Sequence, residues 1–325
     1  MVNRTTIVQR SIGPAGSVTR PILFVVIALI ISALIAPSFL TVRNLGALLV
    51  SSSFLMVLAV GEAIVVMMGM IDLGIESILA SVGMFVAFIS VFQNVPAILA
   101  VPAGLLGGGV IGLLVGLLVT KGRIPSFIVT LGTYWGLRGV ALLFNGGNYI
   151  SPDSVTPARQ FGFVGLAGKI LGMSNLVIIT VIVIAAAQIV VSFTPFGAWI
   201  KSVGSNEASA RTVGLNTNQL KIIGFVISGM LAALAGVMIT AWQDSIYPLT
   251  SQGFSLQAIA GVILGGIPFT GGRGTIVGAA LGALIIGLID DLIVLLGLPS
   301  LYEYIFVAVI LVIAGLQARG KGFVK

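Results

Sequence analysis

An all-α polytopic membrane protein of about ten transmembrane helices is the fold class this sequence predicts, and three observations predict it. Of 325 residues, 58% are hydrophobic and only 8% charged, with a mean hydropathy of +1.20. A soluble domain carries about 25% charged residues, so a soluble enzyme is excluded. The apolar residues gather into runs near the length of about 20 that one bilayer crossing needs, separated by charge, Pro or Asn. The few cations are also unevenly placed, as a membrane protein requires of its loops.

Taken in order, residues 1–20 hold Arg4, Arg10 and Arg20 and read as a charged segment before the first span. The run at 21–39 has no A-x-A site at its end, so it reads as an uncleaved span and not a secretory leader. Further runs lie at 44–70, 75–92, 96–119, 126–144, 174–193, 221–242, 254–267, 274–296 and 300–317. The second is long and interrupted by Ser51, Ser52, Ser53 and Glu62, which suggests tilt or a break. The run at 254–267 is barely long enough to cross and ends in Pro268 and Gly271-Gly272-Arg273-Gly274. A re-entrant segment is the alternative there, since broken helices survive in a bilayer only where protein or a cavity satisfies the backbone. A faint echo links Ala63-Ile64, Gly69 and Ile71 to Ala258-Ile259, Gly265 and Ile267. Residues 21–317 thus read as a single transmembrane domain and 318–325 as a tail, with no extramembrane domain.

Ten crossings put both ends on one side. Twelve Lys and Arg then share that side, three (Arg43, Arg159, Lys169) lie on the other, and Arg138 falls inside a span. Lys and Arg accumulate in cytoplasmic loops, so both termini are expected in the cytoplasm. The same rule explains the net charge of +7 without invoking nucleic acid. With neither Cys nor His in the chain, thiolate and imidazole metal sites, haem ligation and His proton relays are not expected.

Two loops stand out, 145–173 expected outside and 194–220 expected inside. In the inner loop Ser205-Asn206-Glu207 reads as a helix start, with an acidic residue in the first turn, and Gly214 as its stop. A short surface helix between two spans is a natural docking element for a partner. Gly108, Gly112 and Gly116, and Gly278 with Gly282, recur every four residues. Small-x-x-x-small faces of this kind let helices approach closely in lipid, so packing is the expected role. Gly107, Gly109 and Gly112 spell a dinucleotide fingerprint without the strand it needs. Gly315, Gly320 and Lys321 approach a phosphate-binding loop but Gly322 stands at the Ser/Thr position. Neither match supports nucleotide hydrolysis by this chain, and no cofactor is expected on it.

Ionisable groups in apolar segments are costly and invite a functional reading. Here they are Glu62, Asp72, Glu76, Arg138, Asp290 and Asp291. Arg138 is expected to neutralise Glu62 or Asp72 across helices. Asp290 and Asp291, near the outer end of their span, either reach for water or form a polar ring at an outer vestibule. Tyr134, Trp135 and Asn145 are candidates to line a hydroxyl-rich solute's path, because aromatic faces stack on sugars and amides bond their hydroxyls. Packing or interface anchoring is the plainer role for such aromatics. Glu62, Asp72, Asp290 and Asp291 complete the set of pathway candidates.

Several blocks, in order, resemble a known family. They are Lys121-Gly122-Arg123-Ile124 with Phe127-Ile128-x-Thr130-Leu131, Leu137-Arg138-Gly139-Val140, and Gly204-x-Asn206-Glu207-Ala208 through Gly214-x-Asn216. Leu264-Gly265-Gly266, Gly271-Gly272-Arg273-Gly274 and Val277-Gly278 follow. Over residues 38–317 the chain resembles the ribose-type (monosaccharide) permease subunits of bacterial ABC importers. The resemblance implies a type II importer-like permease fold with broken or re-entrant segments, in the inner (plasma) membrane. It implies two permease subunits around one pathway, either a homodimer or a pair of paralogues. A cytoplasmic ABC ATPase would bind the ATP and Mg, and a periplasmic or lipid-anchored sugar-binding protein would deliver the solute. The family's coupling helix falls on Gly204, Asn206, Glu207, Ala208, Arg211, Gly214 and Asn216. Departures at Gly74, Glu76, Asp290 and Asp291 leave the solute open among pentoses, hexoses and polyols. The reading from a different class is an ion-coupled secondary transporter, in which Glu62, Asp72 and Glu76 would carry the coupling ion.

Overall fold

The computed structural model describes residues 15–151, 165–170, 172–299 and 301–319. The expected segment 1–14, the middle of the 145–173 loop and the end of the tail lie outside the described residues. Among the described residues the named helices are, in order, α1 (Ala15–Ile35), α2 (Val42–Met67), α3 (Ile75–Val91), α4 (Ala97–Thr120), α5 (Ser126–Leu143), α6 (Asn175–Phe193), α7 (Pro195–Ser205), α8 (Glu207–Thr212), α9 (Thr217–Gln243), α10 (Phe254–Leu264), α11 (Ile276–Leu295) and α12 (Tyr302–Arg319). Seven are long and apolar enough to cross a membrane: α1, α2, α4, α5, α6, α9 and α11. The apolar parts of α3, α10 and α12 are shorter, which accounts for all ten expected runs. The first helix begins before the expected boundary at 21 and carries Pro21 inside it.

The interior is built around α2 and α9. From Ser52 to Met67 every residue of α2 is buried, because α9, α11, α10 and α6 surround it. Large apolar side chains are instead exposed on α1, α4, α6 and α12, for example Leu34, Ile98, Phe193 and Ile305. Apolar residues outside and polar ones held within are the arrangement lipid demands. α4 and α9 approach each other closely. A Cβ added at Gly108 would collide with the Gly229 carbonyl, one at Gly112 with the Phe225 carbonyl, and one at Gly116 would come within 2.8 Å of Ile222 Cα. Gly278 and Gly282 do the same for α11 against the Gly265 and Gly261 carbonyls of α10.

α2 is not broken internally. The helix is continuous across Ser51, Ser52, Ser53 and Glu62, and the chain turns at Gly69, with φ of +75°, before α3 starts at Ile75. α10 likewise stops at Leu264, and residues 265–275 form a second break before α11. At the opposite end of the bundle, Ile150 and Ile246 exchange backbone hydrogen bonds of 2.9 Å. A two-residue antiparallel pair, β1 (Lys169–Ile170) on β2 (Met173–Ser174), is the one strand pair among the described residues besides that bridge.

Candidate functional site

Where α3 and α10 begin, their N-termini meet, and a cavity of about 340 Å³ opens beside them. Glu76, Ser255 and Gln252 supply its polar groups, and Tyr134 and Tyr304 its aromatic faces. The first turn of a helix leaves N–H groups without partners. Glu76 satisfies two of them on the neighbouring element, because Gly253 and Ser255 N–H each donate to its Oε2 at 3.0 Å. The crossing is closed in return by Ser255, whose hydroxyl donates to the Leu73 carbonyl at 2.9 Å.

Glu76 also holds the buried guanidinium of Arg138 from α5, with Nη2 to Oε1 at 2.7 Å. The expected partners Glu62 and Asp72 are therefore corrected. The reason is register: α3 starts late, after the Gly69 turn, which brings its first turn level with the C-terminal half of α5. Arg138 Nη1 donates to the Pro248 carbonyl at 2.7 Å, and its guanidinium carbon lies 5.6 Å from the centre of the Tyr134 ring. One cation thus ties α5, α3 and the loop before α10 around the cavity.

The other sequence candidates are placed elsewhere. Glu62 and Asp72 are fully buried, at 0% and 1% exposure. Asp72 N–H donates to Glu62 Oε1 at 3.1 Å, Asp72 Oδ1 accepts from Gly74 N–H at 2.9 Å, and Ser228 donates to Asp72 Oδ2 at 3.2 Å. Within one chain these carboxylates brace the first break from behind. Trp135 is exposed on α5 and meets Tyr134 edge-on. Asn145 lies beyond the end of α5 and donates to the Tyr149 carbonyl. Asp291 accepts from Asn44 Nδ2 at 2.8 Å, joining α11 to the start of α2, and Asp290 beside it is half-buried. Of the proposed pathway residues, Tyr134 alone lines the cavity. Tyr304, Gln252 and Ser255 were not picked out from sequence, and no spacing signal marks them.

At the far end of the bundle, α7 and α8 project between α6 and α9. Asn206 ends α7 and caps α8, its side chain accepting from Ser209 N–H at 3.0 Å. The helix stops at Gly214, whose φ is +87°. Thus the expected helix start and stop stand where the sequence put them. α7 was not foreseen, although Pro195 at its first turn is a start signal. Glu207 anchors α8 to α9: it bonds Arg211 and Lys221 at 2.8 Å and accepts from Thr217 Oγ1 at 3.0 Å. Burial pushes its carboxyl up, but Lys221, then Arg211 and Thr217, outweigh that and leave it below the usual glutamate value. Burial alone lowers the Lys201 amine on α7. Ala208, Val213 and Gly214 are left exposed at the tip, and Asn216 caps α9 by accepting from Gln219 N–H.

The family described as "Branched-chain amino acid transport system / permease component" matches residues 44–315. The ribose import permease protein RbsC of Escherichia coli (strain K12) is 38% identical over 299 residues, covering 92% of each chain. The L-arabinose ABC transporter permease protein AraH of Azospirillum brasilense is 34% identical, over 87% of this chain and 81% of its own. The autoinducer 2 import system permease protein LsrC of Klebsiella pneumoniae is 33% identical, over 92% and 85%.

Proposed function

The chain belongs to the family of ABC importer permease subunits that includes the ribose import permeases, and from that premise we propose that it carries a monosaccharide or related polyol inward across the bacterial inner membrane. The observation that carries this reading is the cavity at the two helix starts. Transporters bind near the midplane at discontinuous helices, where half-helix N-termini and freed backbone groups face the solute. Here the tyrosine rings offer stacking faces, and Gln252 and Ser255 offer partners for hydroxyls. The autoinducer, ribose and arabinose for which its relatives are named point to small hydroxyl-rich molecules as a class.

The same reading assigns the partners. α8 is the coupling helix, docking on a cytoplasmic ABC ATPase that holds ATP and Mg, so both termini lie in the cytoplasm. A periplasmic or lipid-anchored sugar-binding protein faces the opposite end. The second permease subunit, a copy or a paralogue, covers α5. Gly132, Gly136 and Gly139 on that helix have nothing within 4 Å of an added Cβ, an open small-residue face suited to another helix. The cavity is lined by a different face of α5, that of Leu131 and Tyr134.

The test is solute uptake by the complete transporter with Tyr304→Ala and Tyr134→Ala. Uptake is expected to fall about two- to tenfold in each, consistent with about 0.5–1.5 kcal/mol per lost aromatic contact. Kinetics equal to those of the unaltered protein, for a panel of pentoses and hexoses, would remove the cavity from the pathway.

A further inference from the structure

The C-terminus of α2, the end of α7 and the second break meet in a single backbone junction. Gly272 N–H donates to the Met67 carbonyl at 2.9 Å, which satisfies one of the last carbonyls of α2. From α7, the Ser205 hydroxyl donates to the Gly272 carbonyl at 3.4 Å. There is no room for a side chain among them. A Cβ on Gly204 would overlap the Met67 carbonyl oxygen and stand 2.6 Å from Gly272 N. One on Gly271 would stand 2.5 Å from Gly69 N and 2.8 Å from the Met67 carbonyl oxygen. Gly271 and Gly272 also hold φ of +72° and +79°, a region that side chains disfavour.

Each strand of this junction leads to a functional element. One residue, Asn206, separates Ser205 from α8. From Met67 the chain runs through the Gly69 turn to Leu73 and Glu76, which line the cavity. From Gly271 it runs back to α10, a rod of 11 residues, about 16 Å long at 1.5 Å per residue. The far end of that rod, Ser255 and Leu256, is the other wall of the cavity, bonded to Glu76. A tightly packed backbone contact transmits displacement because there is no soft side chain to absorb it.

We infer that the Gly204–Met67–Gly272 junction transmits motion of α8 to both helix starts at the cavity, with Gly204, Ser205, Gly271 and Gly272 as positioning residues. The inference rests on the assignment of α8 as coupling helix and of the cavity as part of the pathway. A coupling motion that enters at α8 then moves Leu73, Glu76 and the N-terminus of α10 together. The small polar contact of Ser205 keeps α7 and the second break in step.

The chain has no cysteine, so Leu256→Cys, on the cavity wall, gives it one reporter thiol. The transporter is purified with its own ATPase, and labelling of this chain by a maleimide is timed without nucleotide and with ATP plus vanadate. The labelling rate is expected to change at least fivefold between the two states. Adding Gly204→Ala, or the milder Ser205→Ala if the first does not assemble, is expected to reduce that change to less than twofold while ATP hydrolysis continues. Full retention of the change in Ser205→Ala and in an assembled Gly204→Ala would overturn the junction alone. No change in the complex carrying the reporter only would overturn the cavity's place in the pathway and this inference with it. Loss of the ATPase from the purified complex on Glu207→Ala checks the α8 assignment separately.

Discussion

Glu76 shows how much rests on one side chain, since it neutralises Arg138 and caps α10 at once. Removing one member of a buried pair leaves the other charge uncompensated, at about 3–5 kcal/mol. Glu76→Ala is therefore expected to lower the melting temperature of the detergent-solubilised protein markedly, and Glu76→Ala with Arg138→Met to recover part of the loss. A single mutant that melts with the unaltered protein would contradict this role. Glu207 gives a pH prediction. Its folded value lies below the unfolded one, so the anchor is complete above the unfolded value of about 4.3 and is lost as pH falls through the lower, folded value. Amide exchange at Ser209 and Ala210 should stay protected on acidification down to about pH 4.3 and rise only below it. Protection lost at higher pH would show that the Lys221 and Arg211 pairs do not hold α8. Sequence marked Glu207 through its position in a helix start, a local signal. It could not pair Arg138, because the choice among three carboxylates depends on where the chain turns at Gly69.

Helices were legible wherever the apolar run was long: α2, α4, α5, α6, α9 and α11 begin and end within a few residues of the expected limits. α8 was legible from its cap and its glycine stop. α7 escaped because its buried residues, Gly197, Ile200 and Val203, form too brief a stripe to stand out in a polar loop. The glycines of α4 and α5 differ in a way sequence alone does not show. Gly112 faces the Phe225 carbonyl, while Gly132 faces open space. Overpacking costs about 1–3 kcal/mol, so Gly112→Ala should lower the melting temperature of the single subunit and Gly132→Leu should not. Gly132→Leu should instead raise the fraction of permease that runs as a single subunit in mild detergent. A stable Gly112→Ala, or an unchanged assembly with Gly132→Leu, would contradict the packing on either side.

At the scale of the molecule, hydropathy alone made the chain a bundle of about ten apolar helices, and ordered motif blocks made it a permease. The cavity was not legible, since it is assembled from two helix starts, α5 and α12, which are far apart in sequence and joined only by the fold. Its walls and α8 lie at opposite ends of short, stiff segments, through which the proposed coupling to an ATPase would reach the solute path. An ion-coupled carrier would leave α8 without a docking role. The central claim is tested most directly by accumulation of radiolabelled D-ribose, L-arabinose and further pentoses and hexoses in vesicles. These would hold the transporter purified with its ATPase and binding protein. Saturable uptake of at least one sugar that requires ATP and persists with a protonophore is expected. Uptake that ignores ATP and collapses with the proton gradient would contradict the account.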